Sequence, residues 1–219
     1  ASFDRVIETL LEDLSTDPAL LAQMLTLPSH NELADREAVI DPALLAETRE
    51  TVMTHLATTN EAALLERYGH ERAALRGKPF SLDAEMAGHR ALANALLALA
   101  SVVADGDTQQ FCLSQWRAAD NLTDVMGAMV ALRDRPCAAR DTIYTSFHDQ
   151  WQNDLSMLNR WFQLESCARR ANAATHVTGL LAHPRFDGKN PNRVRAVVQS
   201  FGDQNWRGFH AADGSGDAD

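Results

Sequence analysis

Apolar positions recur with a helical rather than a strand period along almost the whole chain. Phe3, Val6, Ile7, Leu10, Leu11 and Leu14 follow i, i+3, i+4, i+7 spacing, which predicts an amphipathic helix at the start. Asp17-Pro18 then predicts a second short helix, with Asp as N-cap and Pro in the first turn. Pro28-Ser29 breaks and recaps the chain before a short segment that runs to Val39-Ile40, and Asp41-Pro42 opens a helix with Leu45, Thr48, Val52 and Leu56 on one face. A helix over 61–68 is predicted to stop near Gly69, and Gly77-Lys78-Pro79 reads as a turn. Ser81 or Asp83 caps a long helix that reaches Ala104 and stops at Asp105-Gly106-Asp107. Its Leu92, Leu96, Leu97, Leu99, Val102 and Val103 surround most of the circumference, so it is expected to lie between two other helices. Further helices are predicted at 108–117, 122–133, 138–151, 154–165, 172–181 and 192–201.

Composition agrees with this pattern, since Ala and Leu abound while the chain has only 11 Gly and 7 Pro. The expected class is all-α. Connections of a few residues make sequential helices antiparallel neighbours, which predicts a superhelical stack of short helix pairs, a HEAT/armadillo-like α-solenoid. No strict sequence repeat accompanies it. A length of 219 residues suits one helical domain, residues 1–219. The tail from Ala211 is small and acidic and reads as cut off.

Charge then narrows the possible partners. Twenty Lys and Arg against thirty Asp and Glu leave a formal net charge of -10, the wrong sign for a phosphate backbone, so no nucleic-acid partner is expected. The most apolar stretch, 91–104, falls short of the roughly 20 residues that a membrane span requires, which predicts a core helix and no membrane partner. Cys112, Cys137 and Cys167 are odd in number and widely spaced, fitting neither a disulfide framework nor paired zinc ligands. A reducing, cytoplasmic location is expected.

Little in the chain carries chemistry of its own. A zinc peptidase helix needs two His four residues apart with Glu beside the first, but His70-Glu71 is followed by Ala74 where the second His should stand. The three cysteines read as small buried hydrophobes and Asn121 as a helix N-cap. Trp151, Leu155, Met157, Leu158, Trp161 and Phe162 read as core packing between adjacent helices. The one polar string that invites a functional reading is Lys189-Asn190-Pro191-Asn192-Arg193-Val194-Arg195, which puts two arginines at the unfavourable positive end of a helix. Those arginines point roughly 200 degrees apart around a regular helix, so only one of them faces any given cleft.

Five strings occur here in one order: 25–29 (LTLPS), 119–124 (ADNLTD), 151–153 (WQN) with Trp161-Phe162, 189–195 (KNPNRVR) and 209–216 (FHAADGSG). Together they resemble the C-terminal helical domain of the bacterial aminopeptidase N family, the M1 gluzincins. The resemblance implies a domain without catalytic residues or a metal of its own, the zinc being held by a HExxH helix in a separate domain of the same parent chain. It implies a cap over that catalytic domain that limits peptide access, with Arg195 facing the substrate channel and Arg193 and Asn192 as weaker candidates. The implied partners are the parent's catalytic domain and peptide substrates, and the fragment is expected to be inactive. Continuation of the family beyond the Gly-Ser-Gly string implies a C-terminal truncation. The rival reading is a stand-alone helical-repeat scaffold that binds a partner protein.

Overall fold

The structure, a computed structural model, describes residues 2–103 and 106–211. The first half contains α1 (Ser2–Glu12), α2 (Pro18–Met24), α3 (His30–Ala34), α4 (Pro42–Thr59), α5 (Glu61–Leu75) and α6 (Ala84–Ala100). The second contains α7 (Gly106–Ala118), α8 (Leu122–Leu132), α9 (Ala138–Trp151), α10 (Leu155–Cys167), α11 (Ala173–Leu181), α12 (Pro191–Val194), α13 (Ser200–Gln204) and α14 (Trp206–Phe209). A 3-10 turn, Ser101–Val103, follows α6, and a π-helical turn, Arg195–Gln199, joins α12 to α13. There is no strand among the described residues, so the all-α expectation holds. The expected end of the long helix at Ala104, the Asp105 turn and the tail from Ala212 lie outside the described residues.

The helices group into two compact units, one of residues 1–27 and 50–135, the other of 28–49 and 136–219. In the first, α6 is the central helix, packed by α2, α5 and α8. Leu92, Ala93, Leu96 and Leu97 are fully enclosed there, which explains an apolar circumference on a helix that is otherwise long enough to cross a membrane. Close approach of α8 requires Gly127, because an added Cβ would overlap the Asn94 carboxamide. That carboxamide is not free to move aside. Its Oδ1 accepts from Gln115 Nε2 at 2.7 Å, and its Nδ2 donates to the Thr123 carbonyl at 3.3 Å.

Local capping chemistry sets most helix starts. Asp17 accepts from Leu20 N–H, Ser29 and Glu32 form a capping box, Asp83 accepts from Met86 N–H, and Asn121 accepts from Asp124 N–H. Two expectations from the sequence are corrected. The fifth helix runs through Gly69 to Leu75 and stops only at Gly77, which adopts φ 72. Burial of Leu64, Arg67, Tyr68 and Glu71 against neighbouring helices outweighs the roughly 1 kcal/mol that an interior glycine costs. On α4, Thr48 is exposed; the half-buried position beside it is Arg49, whose Nε donates to the Pro28 carbonyl at 2.8 Å.

In the second unit, α10 packs against α9, α11, α12, α13 and the π-helical turn. Leu158, Phe162, Val177, Leu180, Val197 and Phe201 form its apolar centre. Trp161 packs at the edge of that centre, but Leu155 is exposed and Trp151 is 36% exposed, so the aromatic string is only partly core. Cys112 and Cys167 are buried, and Cys137, half-buried, precedes α9 as its N-cap.

Two outcomes follow from this packing. Far-UV circular dichroism is expected to give a predominantly helical spectrum without a strand component. Gly127→Ala is expected to lower stability by about 1–3 kcal/mol, the usual cost of overpacking, read as a drop in thermal midpoint.

Candidate functional site

The segment that carries Asn192, Arg193 and Arg195 is built by an N-cap and a defect. Asn190 Oδ1 accepts from the backbone N–H of Asn192 and Arg193, and Pro191 supplies the preset first turn. The sequence predicts one regular helix over 192–201, but the structure divides it, widening the turn between Arg195 and Gln199 into a π-helix. Side chains far away in sequence hold that turn. Ser166 Oγ donates to the Val197 carbonyl at 2.5 Å, Cys167 Sγ lies 3.5 Å from the Ser200 carbonyl, and Ser200 Oγ donates to the Arg195 carbonyl at 3.1 Å. Asn205 Nδ2 closes the arrangement by donating to the Ser166 and Ala168 carbonyls.

The two arginines have opposite fates. Arg193 is 2% exposed, with its guanidinium 5.0 Å from the centre of the Phe162 ring. Among the described residues its Nε and Nη1 have no hydrogen-bond partner, and burial pulls its pKa below the usual arginine value, with Asp187 opposing. Arg195 is exposed, and among the described residues its guanidinium has one hydrogen bond, to Asn192 Oδ1 at 3.3 Å. It lines a polar cleft of about 490 Å³ together with Asn192 and Gln199 from its own segment and Ser156, Asn159, Arg160 and Gln163 from α10. Sequence reasoning missed the α10 contribution. The signal was present, since Ser156, Asn159, Arg160 and Gln163 stand at i, i+3, i+4, i+7 and form a polar stripe opposite the buried Leu158, Phe162 and Glu165.

The wall of this cleft is held by one buried carboxylate. Glu165 accepts from Arg140 Nη2 at 2.9 Å and Arg170 Nη2 at 2.8 Å, and His176 Nε2 lies 2.9 Å away. Burial raises its pKa, but the hydrogen bond to His176 and the charges of Arg140 and Arg170 win and hold the carboxyl below its ordinary value. On the other side of α10, His183 packs against Phe162, Trp161 and His148, and its pKa is lowered by burial first and then by the charges of His148, Arg193 and Arg185.

The first unit has its own cleft, of about 540 Å³, lined by Tyr68, Arg72, Phe80, Arg90, Phe111 and Asp124 among others. Two of its cations are engaged, since Arg72 Nη1 binds Asp124 Oδ2 at 2.8 Å and Arg90 donates to the Ser81 carbonyl while lying over the Phe80 ring, whereas Arg76 and Lys78 are exposed at its edge. Burial pushes the Tyr68 hydroxyl up to about 12. No zinc chemistry fits the His70-Glu71 pair, because both carboxylate oxygens of Glu71 are engaged, one by Arg67 Nε at 2.7 Å and the other by His89 Nδ1 at 2.5 Å. Among the described residues no group of three or more His, Cys, Asp or Glu is placed to hold a metal ion.

With this geometry in hand, comparison with known proteins is informative. A family described as "Domain of unknown function (DUF3458_C) ARM repeats" matches residues 1–218, in agreement with the predicted armadillo-like class. The chain is 35% identical over 210 residues to aminopeptidase N of Escherichia coli (strain K12), covering 94% of this chain and 23% of that protein. It is 34% identical over 206 residues to aminopeptidase N of Caulobacter vibrioides, covering 94% of this chain and 24% of that protein. The crystal structure of Legionella pneumophila aminopeptidase A in complex with aspartic acid superposes with a TM-score of 0.83 at 27% identity, covering 98% of this chain and 26% of that one. The chain thus spans about a quarter of the length of the relatives it matches.

The charge arrangement makes two predictions. Glu165 and His183 both have folded pKa values depressed from ordinary values of 4.5 and 6.5, so each contributes stability present above its ordinary pKa and lost as pH falls. Thermal midpoints are therefore expected to decline in two stages, first below about pH 6.5 and then below about pH 4.5, and Glu165→Gln is expected to weaken the second, to which Asp4, Asp13, Glu32 and Asp83 also contribute through their lowered pKa values. Arg193→Met relieves a buried cation with unpartnered nitrogens and is expected to leave the thermal midpoint unchanged or raise it; a drop of roughly 4 °C or more, about 1 kcal/mol, contradicts that reading.

Proposed function

The chain belongs to the DUF3458_C family of ARM-repeat domains, and on that premise we propose that it is the non-catalytic C-terminal domain of a zinc-dependent M1 aminopeptidase N. It caps the catalytic domain of the same parent chain, restricts the active site to peptides and unfolded ends, and so serves peptide catabolism in the cytoplasm. The observation that carries this reading is that 94% of the chain aligns with about a quarter of aminopeptidase N. Zinc, when bound in the parent's catalytic domain, supplies the Lewis acid and the activated water. This chain's part is to shape access and to place a guanidinium, that of Arg195, where a peptide passes.

The rival, a stand-alone scaffold that binds a partner protein, lacks a comparable observation. A reading frame without an upstream HExxH helix would favour it.

The reading has two tests. The 219-residue chain alone is expected to hydrolyse no alanyl chromogenic amide and to bind no stoichiometric zinc by metal analysis. In the parent enzyme, Arg195→Ala is expected to lower kcat/KM for a tri- or tetrapeptide about tenfold or more, the scale of a lost charge-assisted hydrogen bond, while a chromogenic amide without a carboxylate is little affected. Equal losses on both substrates contradict the placement of Arg195 in the channel.

A further inference from the structure

The cleft of the first unit reverses the charge of the chain. Four cations, Arg72, Arg76, Lys78 and Arg90, line it against two acids, Asp120 and Asp124, although acids outnumber bases 30 to 20 over the whole sequence. Asp124 is neutralised by Arg72, and Arg90 is buried against the Phe80 ring. Arg76 and Lys78 are exposed and have no carboxylate within ion-pair distance among the described residues. Gly77, at φ 72, turns the chain between them and keeps both on the rim. Lys78 Nζ lies 3.9 Å from Sδ of the buried Met86, which also lines the cleft, so the ammonium is held over the concave surface with only a weak acceptor beside it.

Aromatic rings supply the second feature, and among the described residues none lines the second unit's cleft. Phe80 is 43% exposed and Phe111 is 36% exposed, which water disfavours, and both line the first unit's cleft. Each ring is held in place: the Arg90 guanidinium lies 4.6 Å from the centre of Phe80, and Tyr68 meets Phe111 edge-on at 5.5 Å. The polar groups deeper in the cleft satisfy one another, since the Tyr68 hydroxyl donates to Gln115 Oε1 at 3.1 Å and Gln115 Nε2 donates to Asn94 Oδ1 and the Asp124 carbonyl. What stays open is flat apolar surface beside two cations. A cationic ligand meets the surplus positive charge, a neutral ring leaves Arg76 and Lys78 idle, and a bare inorganic anion leaves the rings in water. A ring that bears a doubly charged phosphate uses both features. The cleft volume of about 540 Å³ is within the usual range for small-ligand sites.

We propose that the first unit's cleft binds a small phosphate monoester carried on an aromatic or heteroaromatic ring, with the phosphate at Arg76 and Lys78 and the ring against Phe80 and Phe111. Every residue of this site belongs to the first unit, so the proposal stands apart from Arg195 and from the domain assignment. Recognition needs both halves, because exposed cations alone are screened by salt and ring burial alone carries no preference for charge. A nucleoside monophosphate and a phenyl phosphate share this chemistry.

The test is an NMR titration of the isotope-labelled 219-residue chain with adenosine monophosphate, phenyl phosphate, adenosine, phenol and inorganic phosphate, the helical fold of each variant being checked by circular dichroism. At least one of the two esters is expected to bind about tenfold or more tighter than inorganic phosphate and than its own neutral counterpart, with shifts confined to the cleft; which ester binds tighter identifies the ring. The double substitution Arg76→Gln and Lys78→Gln is expected to weaken that ester about tenfold, and Phe111→Leu about fivefold. Arg160→Gln, in the other cleft, leaves binding unchanged. Inorganic phosphate or the neutral counterpart binding as tightly as the ester, a loss with Arg160→Gln equal to that of the double variant, or no saturable shift with either ester at millimolar concentration overturns the proposal. Because no turnover is read, these outcomes are separate from the parent-enzyme comparison that tests the domain assignment.

Discussion

The carboxylate of Glu165 organises the second unit. A buried anion costs several kcal/mol to desolvate, and that cost is offset only where geometry supplies enough donors. Here three side chains supply them: Arg140 from α9, Arg170 from the segment after α10, and His176 from α11. Three neighbouring segments are therefore tied to one point on α10. The next two residues extend the same logic to the C-terminal helices, since Ser166 and Cys167 reach the carbonyls of Val197 and Ser200. With α10 fixed on its buried side, its opposite stripe has a defined position from which to face Arg195.

The arginines divide by how their charge is met. Arg67 and Arg140 are buried against carboxylates, and Arg67 Nη1 adds bonds to the Leu11 and Asp13 carbonyls. Arg193 is buried against a ring, without an ion pair among the described residues, and contributes packing more than electrostatics. Arg160 and Arg195 keep contact with solvent and have no carboxylate partner among the described residues.

Features decided by a few neighbouring residues were legible in the sequence. The caps at Asp17, Ser29, Asp83 and Asn121 and the enclosed character of α6 follow from local chemistry and from period. Features decided across the fold were not. Gly69 passes for a stop until the packing of Arg67, Tyr68 and Glu71 is known. The π-helical turn depends on Ser166 and Cys167, which lie 31 and 33 residues from the carbonyls they contact. Angular spacing separates Arg193 from Arg195, but it does not reveal which of them meets Phe162. Arg160 went unnoticed because its stripe becomes a cleft wall only when the Arg195 segment lies opposite.

The most direct measurement is a crystal structure of the parent enzyme with an uncleaved tetrapeptide bound. The account predicts the peptide's C-terminal carboxylate within hydrogen-bond distance of Arg195. A carboxylate held by residues outside this chain, or a cleft filled by side chains of another domain, would contradict it.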